Sequence, residues 1–162
     1  TQTCPWLHFG DIVLKDCTAA FINCHSTSTE DPYFIKGLTA TDSSVSFSGM
    51  VYSDGDLAMK GSSLSVTSSA SNEKADYICK GDASSIYLDE CAVSLVYSGN
   101  SNGSLSAKSI TVKNGSSVKG HVGKTRAESE LVWYSIGGAD VHYSEDECAE
   151  AALTCSSFSY TD

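Results

Sequence analysis

Arginine is almost missing from this chain: Arg126 stands alone beside nine lysines, against 20 Asp and Glu, for a net charge of −10 over 162 residues. Nucleic acid is held by many basic contacts to phosphates, so a general nucleic-acid partner is excluded. Charge of either sign is scarce, at 19% of residues against roughly 25% in soluble domains. No run approaches 18 apolar residues, so no helix inserts into a membrane. No two cysteines stand three apart and no Cys/His quartet has zinc-finger spacing. The four histidines (His8, His25, His121 and His142) never come closer than 17 residues, which excludes a local metal pair. Proline occurs only twice. Small hydroxyls fill the space: 29 Ser and 12 Thr make up about a quarter of the chain. With 41% hydrophobic residues the chain builds a core and is not a disordered Ser-rich tail. Its length is that of one domain, residues 1–162, which buries about two-thirds of its unfolded surface.

A repeat emerges when the chain is aligned on lysine. The copies are Ile12-Val-Leu14-Lys15, Tyr33-Phe-Ile35-Lys36, Leu57-Ala-Met59-Lys60, Tyr77-Ile-Cys79-Lys80, Leu105-Ser-Ala107-Lys108 and Leu131-Val-Trp133-Tyr134. Positions one and three before the lysine column are apolar in all six, and the residue after it is Asp, Gly or Ser. The spacings of 21, 24, 20, 28 and 26 residues are variations that loops absorb. Apolar residues two apart have the period of a strand. Further alternating stretches stand at Val45-Ser-Phe47, Leu64-Ser-Val66, Ile86-Tyr-Leu88 and Val141-His-Tyr143. Two or three short strands per repeat, joined by Gly, Ser, Asp and Asn turns, predict one coil of a parallel β-solenoid.

The expected fold is therefore an all-β parallel β-helix of about six coils, with residues 1–11 as an N-terminal arm, 12–143 as coils, and 144–162 as a helical cap and tail. An antiparallel β-sandwich is the alternative, but it does not require fixed residue classes around a recurring lysine. Ile35 and Leu57 are expected inside. The capping box Ser144-Glu-Asp-Glu147, continued by Cys148-Ala-Glu-Ala-Ala-Leu153, predicts one helix over the last coil. The segment Ala107-Lys-Ser-Ile-Thr-Val-Lys-Asn-Gly-Ser-Ser-Val-Lys-Gly-His-Val122 resembles a coil of the bactofilin-type β-helices, which polymerise end to end. That resemblance covers roughly one coil of six. It implies the solenoid fold and self-association.

Seven cysteines predict a secreted protein with cystines. Cys17, Cys24, Cys79, Cys91, Cys148 and Cys155 are the disulfide candidates, with Cys148 and Cys155 flanking the helix. Cys4 is the odd thiol, available to bridge subunits. The start at Thr1 fits removal of a signal peptide, and Asn102 and Asn114 open glycosylation sequons. Gly99-Asn-Ser-Asn-Gly103 matches a nucleophile elbow, but residues 104–112 alternate like a strand where the elbow needs a helix. Gly123-Lys-Thr125 lacks the first glycine of a P-loop, since residue 118 is Val. Asp54-Gly-Asp56 reads as a turn, and Glu145, Asp146 and Glu147 as favourable charges at a helix start. No catalytic, cofactor-binding or metal-binding residue is assigned.

Lys15, Lys36, Lys60, Lys80 and Lys108 are expected in one outward column, either with each lysine lying over its adjacent turn or meeting scattered acids such as Asp16 and Asp82, or as a basic stripe that docks an anionic partner. Together these features point to a secreted structural solenoid, an extracellular filament subunit or a cell-surface adhesive module whose partner is a further copy of itself. A carbohydrate-binding or polysaccharide-cleaving β-helix is the runner-up. Ice binding ranks below both, because hydroxyl pairs such as Thr39/Thr41 and Ser65/Thr67 do not repeat in register along the sequence.

Overall fold

In most of the strands, such as Ser44–Ser48, Ser63–Ser68 and Ser109–Lys113, side chains alternate between buried and more open positions, and these strands stack in parallel. The computed structural model describes residues 8–22, 33–68, 75–99, 103–125, 131–133, 152–154 and 157–161. Over these residues the chain is all-β, a parallel β-solenoid that makes about four turns from its first layer to its fifth. The first layer is β1 (His8–Lys15) and β2 (Thr18–Ile22), and the second is β3 (Tyr33–Thr41) and β4 (Ser44–Ser48). The third is β5 (Val51–Ser53), β6 (Leu57–Lys60) and β7 (Ser63–Ser68), and the fourth is β8 (Tyr77–Cys79), β9 (Ser85–Asp89) and β10 (Ala92–Tyr97). β11 (Ser104–Ser106), β12 (Ser109–Lys113) and β13 (Ser117–Lys119) complete the fifth, and β14 (His121–Thr125) continues beyond it.

These strands form three faces. The first holds the starts of β1 and β3, then β5, β8, β11 and β14; the second holds the ends of β1 and β3, then β6, β9 and β12. The third stacks β2, β4, β7, β10 and β13. Each face ends on an antiparallel strand: β15 (Leu131–Trp133) on β14, β17 (Ser157–Thr161) on β12 and β16 (Ala152–Thr154) on β13. The core is a set of columns, one residue per layer. Leu38, Leu57, Ile86 and Ile110 stack on the second face, Tyr33, Val51, Tyr77, Leu105 and Val122 on the first, and Val45, Leu64, Val93 and Val118 on the third. All of these are buried. Each such side chain contributes about 1.5–3 kcal/mol by leaving water, and Ile35 and Leu57 are inside as expected.

The corner between the second and third faces repeats a hydrogen-bonded device. Asp16, Asp42, Gly61, Glu90 and Asn114 all have positive φ, between 48° and 57°, which turns the chain sharply at the same point of every layer. Asp and Asn tolerate that conformation and Gly adopts it freely. The next inward position reads Cys17, Ser43, Ser62, Cys91, with Ser116 above. Ser43 Oγ accepts from the Cys17 N–H at 3.1 Å and donates to Thr41 O at 2.7 Å; Ser62 Oγ accepts from the Ser43 N–H at 3.0 Å and donates to Lys60 O at 2.8 Å. Ser116 Oγ accepts from the Cys91 N–H at 2.9 Å and donates to Lys113 O at 2.7 Å. The ladder thus satisfies backbone groups that the bend removes from the sheets. Elsewhere Gly103 is required by close approach, since a Cβ there would collide with the Ala75 carbonyl and the Leu95 side chain.

Several expectations are corrected. The first five apolar-x-apolar-Lys copies fall one to a layer but on two different faces, and the sixth does not extend the parallel stack. Leu131–Trp133, read as a sixth parallel copy, is the antiparallel β15. Ala152 and Leu153, read as the end of a helix, belong to β16 because their backbone pairs with Val118 and Lys119; residues 144–151 lie outside the described residues. Residues 8–11, assigned to an arm, are the start of β1. The bactofilin-like segment does form solenoid strands β12 and β13 and the start of β14.

Candidate functional site

Strand register separates the lysines. On the second face the outward column reads Lys15, Thr41, Lys60, Asp89, Lys113. Lys36, within β3, and Lys80, directly after β8, follow the paired residues of the first face, in a column where the register from Ile35, Ser53 and Cys79 places Asp54 between them. Lys108 lies between β11 and β12. A single five-lysine stripe is therefore not formed. Repulsion between neighbours is avoided by the intervening Thr41, Asp54 and Asp89. Lys113 Nζ lies 3.6 Å from Asp89 Oδ2 and 4.8 Å from the Tyr87 ring centroid, while Lys80 Nζ sits 3.7 Å over the Tyr52 ring. The Asn114 amide donates to Asp89 Oδ1 at 2.5 Å, and this bond, with Lys113 and Lys60 nearby, holds the Asp89 carboxyl below its ordinary value. A hydrogen bond with Tyr87, aided by Asp89, raises Lys113. Lys113 carries the repeat on the second face, as Ile110-Thr-Val112-Lys113, a copy absent from the lysine alignment of the sequence.

The third face is different. Its outward columns read Thr18, Ser44, Ser63, Ala92, Ser117; then Ala20, Ser46, Ser65, Ser94, Lys119; then Ile22, Ser48, Thr67, Val96. Hydroxyls dominate, and among the described residues no carboxylate stands on this face although the chain carries a net charge of −10. Neighbours along a column are about 4.8 Å apart and neighbours along a strand about 6.7 Å apart. Ser63 Oγ donates to Ser44 Oγ at 3.1 Å, and Ser48 Oγ donates to Phe21 O at 3.2 Å. Ser65 stands in register with Ser46 and Ser94, and Thr67 with Ser48. Thr39 and Thr41 lie on the second face opposite Ala58 and Lys60, so the two hydroxyl pairs do not stack on one another, as expected, and the registered set is chiefly of serines.

The described cysteines are free thiols: Cys17 is exposed, Cys79 and Cys91 are buried. Expected cystines at these three positions are corrected. Cys17 and Cys91 replace serine in the corner ladder, where Cys91 Sγ contacts Asp89 O at 3.1 Å and Cys17 Sγ contacts Lys15 O at 2.9 Å. Their column neighbours are Ser43, Ser62 and Ser116, so among the described residues no second sulfur is adjacent. Burial pushes the Cys79 thiol up to about 12 and raises Cys91, keeping both protonated. Cys4, Cys24, Cys148 and Cys155 lie outside the described residues, as do Asn102, His25, His142 and Arg126. Asn114 is exposed at its corner.

An open groove of about 610 Å³ runs along the same corner, past Asp42, Gly61, Glu90 and Asn114. Its acids are separated by the glycine layer. The other acids that attract attention tie turns together: Asp56 Oδ1 accepts from the Ser85 N–H and Asp76 Oδ1 from the Ser104 N–H, both at 2.7 Å. Ser104–Ser106 after the elbow-like sequence is a strand, so no helix N-terminus supports an oxyanion there. His121 is buried at the first-face end of the stack. Among the described residues no group of three His, Cys, Asp or Glu is placed to hold a metal ion. Comparison with protein-family models, curated proteins and solved structures found no match to this chain.

Proposed function

We propose that this protein is a secreted, non-catalytic adhesive module that lies flat, through its third face, on a solid with a repeating uncharged hydroxylated surface. The observation that supports this reading is the registered lattice of Ser and Thr free of carboxylates. Each hydroxyl contact is weak, but a rigid sheet presents many at fixed spacing and orders little on binding. Serine has few rotamers to lose. Solids with surface repeats of several ångströms, such as crystalline polysaccharide or ice, offer donors and acceptors at comparable intervals. Export is proposed on the sequons at Asn102 and Asn114.

The test is a triple substitution across the face, Ser46→Glu, Ser65→Glu and Ser94→Glu, with depletion from solution measured on crystalline cellulose, on chitin and during slow ice growth. The parent is expected to be retained by one of these solids and the variant to lose at least about tenfold in retention, a loss of about 1.4 kcal/mol. Which solid retains it separates polysaccharide from ice. Parent and variant behaving alike on all three would remove the third face as the adhesive surface.

A further inference from the structure

The two ends of the solenoid are finished differently. At the far end Ile110, Val112 and Val118 are 0% exposed beneath the antiparallel strands. At the near end the inward positions of the first layer are open: Phe9 is 36% exposed and Ile12, Leu14 and Phe21 are only partly buried, whereas Ile35, Leu38, Ala40 and Phe47 directly above them are 2% exposed or less. Solenoids require their terminal repeats to be covered. Among the described residues β1 pairs with β3 alone, so its other edge is a template for a further strand.

We propose that two copies of this chain pair end to end through their first layers, with β1 antiparallel to the partner's β1 in a register centred on Val13. The far end is already covered, so a second first layer is the comparable open section. Joining like to like produces a two-fold, self-limiting dimer. Two-fold pairing of a strand with itself keeps inward residues facing inward only when a residue lies opposite its own copy. Centring on Val13, which is 73% exposed, places Asp11 opposite the partner's Lys15 and Lys15 opposite the partner's Asp11. It also sets Ile12 opposite the partner's Leu14 inside. A shift of one residue pair leaves both charges facing apolar or thiol positions. A centre on Asp11 or Lys15 opposes like charges, which is unfavourable directly across a ladder. Both charges are exposed, and neither makes an ion pair among the described residues. The strand is thus self-complementary in charge and in shape about one point.

Sedimentation velocity of the full chain over a range of concentrations tests this, using the parent and the single variants Asp11→Lys and Lys15→Asp. The parent is expected to form a dimer and nothing larger. Each variant alone opposes like charges twice, and its dissociation constant should rise at least about tenfold. An equimolar mixture of the two variants should recover the parent's dissociation constant to within about threefold, because each supplies the charges the other lacks. Recovery on mixing also shows that both variants are folded. A parent that stays monomeric, a parent that grows into filaments, or variants that associate as the parent does would each overturn the proposal.

Discussion

The second and third faces share one core and diverge only on the outside. Both stack Leu, Ile, Val or Phe inward with the same two-residue alternation. Outward, the second face carries Lys60, Asp89 and Lys113 with Tyr87 beside them, while the third carries Ser46, Ser65 and Ser94 in a line. On the second face Lys113 and Asp89 form an ion pair with Lys60 beside them, while Lys15 at the near end has no such partner among the described residues. The third face has hydroxyls and almost no charge. In a solenoid the inward half of each strand is taken up by the fold and the outward half is open to selection. A departure from mixed charge over a whole face is therefore informative about function.

The strongest way to break the comparison is to attack what the faces share. Leu57→Ala should cost about 2–5 kcal/mol in urea unfolding, and both faces should be lost together, so that adhesion and folded structure disappear at the same denaturant concentration. An outward Thr39→Ala on the same face should stay within about 0.5 kcal/mol of the parent. If Leu57→Ala were equally mild, Leu57 would not be a core residue.

The corner that joins the two faces comes next. Ser62→Ala removes the acceptor of the buried Ser43 N–H, at an expected cost of about 1–3 kcal/mol. Ser62→Cys should cost less, because Cys17 and Cys91 already occupy the same column. Unfolding midpoints of the two variants decide this: a cysteine variant weaker than the alanine one would deny that thiol and hydroxyl are interchangeable there.

A smaller effect sharpens the electrostatic side. The Asp89 carboxyl is depressed in the folded state by Asn114 first, so its contribution to stability is complete above the ordinary carboxylate value of about 4. That contribution is lost as the pH falls through the depressed value. Asn114→Ala should move the Asp89 titration, monitored by NMR, upward toward its ordinary value, and flatten the stability change in acid. An unmoved titration would assign the depression to Lys113 and Lys60 instead.

The smallest effect is expected for Lys36→Gln, Lys60→Gln and Lys80→Gln combined. Lysines stacked as nearest neighbours would gain stability when neutralised. In the observed columns Thr41, Asp54 and Asp89 intervene. Thermal unfolding should therefore show no gain, and a clear rise in midpoint would restore the single stripe.

Much of the fold was legible in particular residues. Ile12-Val-Leu14, Tyr33-Phe-Ile35 and Leu64-Ser-Val66 each declare a strand with one buried side, and each is one. The lysine alignment failed at a definite place: Tyr33-Phe-Ile35-Lys36 and Leu57-Ala-Met59-Lys60 look alike because both run from an apolar pair into a corner, yet they belong to different faces. Ala152 and Leu153 looked helical from good intrinsic propensity, which tertiary pairing with β13 overrides. The hydroxyl face was hidden for a related reason, since Ser46, Ser65 and Ser94 are brought into line by stacking across loops of unequal length.

By itself the sequence determined that the described residues are all-β and coiled, and which of them face the core. Those properties arise from composition and from a two-residue period, both of which act within a few residues. Only the tertiary structure decided which strands lie above one another, that two of the cysteines serve as corner hydroxyl substitutes, and that one face is a charge-poor lattice with an open layer at its near end. A period of two distinguishes inside from outside, but it carries no information about which face a strand joins. That choice is made by stacking against the layer below, where one buried column must sit on the next.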